Sequence, residues 1–321
     1  MKKKKVRLII ICIVAALVAA SLITGICTGN YAASEAMTMN CDTTSKNSKQ
    51  FLEKIGFSED DFISKWSSSS ERITYHSKKG NDLPINYICT QKNKYNNPTM
   101  ILIHSLGFDY SVMYPLADSF LDKGYNVVMY DQRAHGNNNA ETVTYGQLET
   151  AELESVVEYI QMCTDETCTI ALLGQGTGAD TAIHYASESA NSKNIDFVIL
   201  EDPYSNASDA VNSLVKQNSG IIPEELYISL RDKCMQSKYN FDVKSADFRV
   251  MASGISVPAL VLNHKNSEKC SFTTSNNIYE SVPGDKKTLV TFENSDYMTS
   301  FTDENEKYIQ SVEEFIEKFM S

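Results

Sequence analysis

The sequence predicts an α/β domain, a mostly parallel sheet with helices on both faces, behind one N-terminal transmembrane helix. Three observations carry this expectation. From residue 98 onward, short apolar runs rich in β-forming residues alternate with longer amphipathic patterns, the signature of a parallel sheet covered by helices. A glycine-rich turn, Gly174-Gln175-Gly176-Thr177-Gly178, joins one of those runs to the helical pattern that follows. The twenty residues Leu8–Cys27 carry no charge, a length sufficient to cross a bilayer as a helix.

The segment before that run contains Lys2, Lys3, Lys4, Lys5 and Arg7, whereas Thr28–Ser45 contains no Lys or Arg. The positive-inside rule then places the N-terminus in the cytoplasm and the rest of the chain outside. Tyr31-Ala32-Ala33-Ser34 offers small residues to a signal peptidase, which is the rival reading. The apolar run exceeds the usual signal core, which favours an uncleaved anchor. Ile26 before Cys27 argues against a lipoprotein signal.

Three regions follow: residues 1–27 as basic stub and anchor, 28–70 as tether and short amphipathic helix, and 71–321 as the folded domain. Residues 28–49, rich in Ser, Thr and Asn, read as a flexible tether. Phe51, Leu52, Ile55, Phe57, Phe62, Ile63 and Trp66 recur at roughly helical spacing, ended by Ser67–Ser70. "RITYHS" and "LPINYICT" flank Lys79-Gly80-Asn81-Asp82 as a β-hairpin. "TMILIHS" and "YNVVMYD" are strands around a helix over Ser111–Lys123 that stops at Gly124. "CTIALLG", "DFVILED", "PALVLNH" and "KTLVTFE" are further strands, with helices over 147–162, 177–190, 271–281 and 304–319. The longest interval without a strand, 203–257, reads as an inserted helical cap shaping a pocket at the C-terminal ends of the strands.

Of the 29 basic residues, five precede the anchor; the remaining 24 against 41 acids leave the exported part near −17. Such a charge disfavours nucleic acid and anionic membrane surfaces as partners. Six of the eight cysteines lie beyond the anchor, and Cys163 and Cys168, bracketing a polar turn, are the best local pair for a disulfide. No His/Cys cluster has zinc-like spacing. The sequence thus points to no metal and no cofactor.

The glycine turn fits two motifs. As G-x-G-x-x-G/A it would seat a dinucleotide pyrophosphate. As G-x-S-x-G with its centre replaced, it is a nucleophile elbow without a nucleophile. The surrounding segments decide between them. "ILIHSLGFDYS", "YNVVMYDQRAHGNN", "ALLGQGTGADTAIHYA", "VPALVLNHKNSEKCS" and "LVTFENSDYMTSF" resemble, in order, segments of the α/β-hydrolase superfamily, especially its exported bacterial serine-aminopeptidase and acyl-esterase members. The resemblance spans roughly residues 72–319 and implies the α/β-hydrolase fold. Glu201 and Asp202 end the strand after the turn, where a dinucleotide site needs an acid, but two matching hydrolase segments before the turn and two after it favour the elbow.

The same resemblance assigns slots. The nucleophile slot is Gly176, the acid slot Ser267 (with Glu268 beside it), and the base slot Tyr297 (with Asp296 adjacent). Acyl transfer needs a hydroxyl or thiol, a base for its proton and a group orienting the base, and all three slots lack their functional group. His104, Ser105 (in place of the family's glycine) and Leu106 are expected to form the oxyanion loop. Thr177 is expected to present its backbone N–H, rather than its hydroxyl, to the site. His264 is the best displaced base and Asp202 the best displaced acid; Asp131 and Arg133 read as a structural ion pair. Glycine also adopts the elbow conformation readily, so Gly176 fits a turn chosen for conformation. The reading is an anchored, exported, catalytically inactive hydrolase relative that binds a small ligand or a protein in a capped pocket. Its rival is an active hydrolase of esters or peptides with relocated residues.

Overall fold

The computed structural model describes residues 2–77, 80–89, 96–188, 190–215, 222–267 and 269–320; Lys79 of the hairpin turn and Glu268 lie outside them. In chain order the elements are α1 (Lys2–Met37), α2 (Cys41–Lys54), α3 (Glu59–Trp66), β1 (Ser70–His76), β2 (Asp82–Ile88), β3 (Thr99–Ile103), α4 (Tyr114–Asp122), β4 (Asn126–Tyr130), α5 (Gln147–Cys163), β5 (Ile170–Gln175), α6 (Thr177–Ser187), β6 (Phe197–Glu201), α7 (Ala207–Val215), α8 (Glu224–Tyr239), α9 (Phe248–Ala252), β7 (Ala259–His264), α10 (Phe272–Ser281), β8 (Lys287–Phe292), α11 (Ser300–Asp303) and α12 (Asn305–Met320). They form two compact units. The smaller comprises Met1–Met37 with Val211–Val243, and the larger Thr38–Ala210 with Lys244–Ser321.

The larger unit is built on an eight-stranded sheet in the order β1-β2-β4-β3-β5-β6-β7-β8. The expected hairpin forms, Ser70 opposite Ile88 through His76 opposite Asp82, and β2 continues antiparallel onto β4. Every later pairing is parallel. Strands β3 to β7 are buried along their whole length, as their unbroken apolar runs require of a sheet covered on both faces. Met100, Leu102, Met129, Leu173, Ile199 and Leu262 pack in one core with Leu116 and Phe120 of α4 and Val312 and Phe315 of α12. Phe315 meets Phe197 edge to face at 5.8 Å, and burying such a ring stabilises by about 1.5–3 kcal/mol. Because β3 lies between β4 and β5, the chain leaves it in one direction and returns on the other side. The loops after β3 and β5 therefore diverge at the C-terminal edge, where a parallel sheet opens a crevice.

The structure departs from the sequence reading in four places. The tether expected over 28–49 is helical instead: α1 runs to Met37, and α2 starts at Cys41, capped by the Asn40 side chain accepting from Thr43 N at 2.9 Å. Of the Ser, Thr and Asn residues that resemble a solvated linker, Thr44, Asn47 and Ser48 spend their hydroxyls and amides on contacts with the rest of the larger unit. The single amphipathic element splits into α2 and α3 at Gly56, whose φ of 73° ends the first helix. The inserted segment outside the larger unit is narrower than 203–257, because Pro203–Ala210 and Lys244–Val257 belong with the sheet. Finally, all eight cysteines are free thiols. Cys168 does not reach Cys163 because its Sγ is turned to the Asn97 carbonyl at 2.7 Å.

Candidate functional site

Strand β5 delivers the elbow. Gly176 sits between β5 and α6 at φ 54°, ψ −120°, its N–H donating to the Glu201 carbonyl at 2.9 Å. A non-glycine residue in such a conformation costs of order 1–3 kcal/mol. The flanking glycines serve close approach. A Cβ on Gly174 would lie 2.3 Å from the Gly178 carbonyl oxygen, and one on Gly178 would lie 2.2 Å from that of Ile103. The first turn of α6 thus lies directly against β5 and β3, as a nucleophile elbow demands.

The space in front of Gly176 is filled. A Cβ there would meet the Tyr297 hydroxyl at 1.9 Å and Ser105 Oγ at 2.4 Å. The two hydroxyls share a 2.5 Å hydrogen bond. Tyr297 enters from the loop after β8, with its backbone N–H donating to Asp296 Oδ1 at 2.7 Å. Burial pushes its phenol well above the usual range, with the Tyr204 hydroxyl nearby adding to the effect, so the group at the nucleophile position is a neutral phenol. Tyr297 and Gly176 therefore fit one another as knob and hole.

The oxyanion loop is closed by its own hydrogen bonds. His104 is fully buried; its Nε2 accepts from Gln132 N and its Nδ1 donates to Ser105 O, both at 2.9 Å. Burial lowers its pKa to about 4, which keeps the ring neutral and fixed in one tautomer. Leu106 N, the backbone donor expected to face a developing oxyanion, donates to Thr177 Oγ1 at 2.8 Å. The expectation that only the Thr177 backbone would face the site is corrected here, since α6 starts close enough for the hydroxyl to turn back onto the loop. The next amide, Gly107 N, donates to His135 Nε2 at 3.0 Å.

Asp131 and Arg133 do not pair. Arg133 Nη1 meets Glu152 of α5 at 2.6 Å, while the Asp131 carboxylate accepts from Tyr110 N at 3.0 Å and Asn137 N at 2.8 Å. Both residues lie past the end of β4 at Tyr130, in a loop whose path the strand alternation does not set, and the spacing alone does not reveal Glu152 as the partner. Burial raises the Asp131 pKa to about 7 against the pull of those two N–H groups.

Of the displaced candidates, Asp202 and His264 do come together. Asp202 Oδ2 and His264 Nδ1 lie 2.6 Å apart, close enough for an ion pair though not aligned as a hydrogen bond, and both side chains are shut from solvent. Burial pushes Asp202 up to about 6, with His264 pulling the other way. For His264, burial disfavours the charged ring, yet the contact with Asp202 outweighs it and raises the pKa. The imidazole lies beside the Phe292 ring, centroids 5.7 Å apart; the side chains nearest the Gly176 position are Tyr297 and Ser105. Ser267 caps its own loop, accepting from Cys270 N at 3.3 Å. The same loop instead sends Lys269 Nζ over the Tyr297 ring at 5.3 Å.

Helix α2 supplies the residues that sequence reasoning missed. Asn47 Nδ2 donates to Gly107 O at 2.9 Å, Ser48 Oγ accepts from Asp109 N at 2.8 Å, and Thr44 Oγ1 accepts from Gly136 N at 3.1 Å. Phe51 packs edge to face on Phe108 at 5.9 Å. The one available signal was the hydrophobic spacing that begins at Phe51. Beside Tyr297 a groove of about 510 Å³ remains, walled by Phe51, Ile55 and Phe108 and edged by Lys54, Lys269 and Asp303. Among the described residues no cluster of three or more His, Cys, Asp or Glu side chains could hold a metal ion.

Comparison with known proteins agrees with this architecture. Residues 95–247 match the family described as serine aminopeptidase, S33. The uncharacterised protein YqkD of Bacillus subtilis (strain 168) is 25% identical over 219 residues, 68% of this chain and 71% of that protein. The Pyrococcus furiosus esterase Pf2001 superposes with a TM-score of 0.66 at 19% identity, covering 81% of this chain and 96% of the esterase. The α/β hydrolase GrgF from Penicillium sp. sh18 gives 0.61 at 15% identity, covering 78% and 99%. Strand order, elbow geometry and these likenesses converge: the larger unit has the α/β-hydrolase fold, and residues 95–247 are similar to the serine aminopeptidase, S33 family.

Proposed function

We propose that this protein is a non-hydrolysing member of its superfamily, exported and anchored by α1, that binds a small ligand or a protein segment in the groove beside Tyr297. The observation that carries the reading is the position of the Tyr297 hydroxyl, 1.9 Å from where a Cβ on residue 176 would stand. An attacking side chain has no room there. The hydrogen bond from Leu106 N to Thr177 Oγ1 supports the same reading, because an oxyanion hole works through donors held free for the transition state. The helix Lys4–Met37 contains an eighteen-residue window with a mean hydropathy of 2.8, and with the basic stub before it this supports the anchor and its orientation.

A second reading has its own observation. The Asp202–His264 contact resembles the acid–base half of a triad and would serve a hydrolase of esters or peptides with relocated residues. The two separate in one experiment. The purified full chain in detergent is assayed on an activated ester beside its His264→Ala variant. The proposal expects background turnover from both. Turnover above background that is lost in His264→Ala overturns it. A thermal-shift screen with acyl, peptide and nucleotide compounds then tests binding, and stabilisation that disappears in Lys269→Ala would place the ligand in the groove beside Tyr297.

A further inference from the structure

We infer that α1 does more than tether the protein: its last three turns are the seat of α8, so the folded chain keeps the anchor as half of its smaller unit. The inference rests on reading α1 as a membrane span, as above. Helix α1 changes character along its length. Its apolar side chains up to Leu22 are widely exposed, Leu17 and Leu22 at 63%, which suits lipid. From Gly25 onward one face carries the small residues Gly25, Gly29, Ala32, Ala33 and Ala36, closed at its end by the buried Met37.

Helix α8 lies against that face. A Cβ on Gly29 would stand 2.7 Å from Cys234 Sγ and 2.8 Å from the Leu230 carbonyl oxygen, and one on Gly25 would stand 3.7 Å from Leu230 Cδ2. Backbone therefore meets backbone, the close approach that glycines one turn apart permit. Leu230 and Cys234 are themselves one turn apart on α8, so two successive turns of each helix engage. Outside that contact α1 stays open, with Ile26 on its flank and Tyr31 on the far side each 59% exposed. Arg231, fully buried, pairs with its helix neighbour Asp232 at 2.6 Å and ties α8 to α7 by donating to Asn212 Oδ1 at 2.9 Å.

The peptide bonds a signal peptidase would need lie in this docked stretch. Tyr31 to Ser34 are helical, and Ala32 and Ala33 are completely buried. Retention of α1 and docking of α8 are thus linked, and the folded chain should keep the peptide bonds between residues 31 and 34 intact.

The test uses the full chain in its membrane. Gly29→Cys places a thiol beside native Cys234, and mild oxidation should form an intramolecular disulfide in most molecules, detected by non-reducing peptide mapping. The Cys234→Ser change should abolish it, and Ile26→Cys on the exposed flank should not form one. Because a side chain at 29 also presses on the Leu230 carbonyl, the pair Gly25→Cys with Leu230→Cys, at an ordinary contact distance, covers a first variant that fails to fold. A membrane-inserted chain in which neither pair cross-links overturns the docking while leaving the anchor standing. A soluble chain whose mass begins between residues 32 and 35 overturns the anchor reading itself.

Discussion

Placing a serine at position 176 tests the site most directly, because the structure predicts a cost rather than a gain. The Gly176→Ser change adds a Cβ at φ 54° and places it 1.9 Å from the Tyr297 hydroxyl and 2.4 Å from Ser105 Oγ. The backbone conformation costs about 1–3 kcal/mol for a residue with a side chain. Forcing Tyr297 aside adds about 1–3 kcal/mol of overpacking, so the single variant should lose roughly 2–6 kcal/mol. At about 2–4 °C per kcal/mol for a domain of this order, the melting temperature should fall by at least several degrees. Pairing it with Tyr297→His empties the space and leaves only the backbone term. A double-mutant cycle read by urea unfolding should therefore show a favourable coupling of about 1–3 kcal/mol. A Gly176→Ser variant as stable as the parent, or one that Tyr297→His fails to rescue, would refute the claim that the phenol occupies the nucleophile's place.

Further outcomes follow from single contacts. Thr177→Val removes the acceptor of the Leu106 N–H and should cost about 1–3 kcal/mol in urea unfolding, whereas Thr177→Ser should keep most of that stability; equal effects would refute the bond. Arg133→Ala should cost about 3–5 kcal/mol by leaving Glu152 buried and unpaired. In a cycle it should couple to Glu152 more strongly than to Asp131; the reverse order would restore the ion pair read from the sequence. For Asp131 the folded pKa is near 7 against an ordinary 3.8, so the folded state holds its proton more tightly than the unfolded chain. Its penalty is absent below about pH 4, grows as pH rises towards 7, and is complete above that. Asp131→Asn should flatten the decline of stability between pH 4 and 7, by a few kcal/mol at most, and an unchanged slope in urea titrations across that window would count against it.

The elbow and the loops expected to flank it were legible in the sequence because each is local. A strand, a turn and a helix in tandem fix where Gly176, Ser267 and Tyr297 sit along the chain, and strand–helix alternation fixes the parallel sheet that aligns them. Hydrophobic periodicity is a property of near neighbours, so elements such as β5 and α12 could be read directly.

What the sequence could not show are the contacts that join residues far apart in the chain. Tyr297 entering the space at Gly176, the Thr177 hydroxyl closing on Leu106, Arg133 choosing Glu152, and His264 meeting Asp202 all depend on how loops lie across the sheet. The polar stretch before Phe51 misled for the same reason. Its hydroxyls and amides suit water and suit the loop after β3 equally well, and only packing decides between them. The sequence by itself determined that Gly176, Ser267 and Tyr297 stand at the three positions the resemblance singles out. The tertiary structure decided what each of them touches, because side-chain partners from 19 to 121 residues apart are chosen through space.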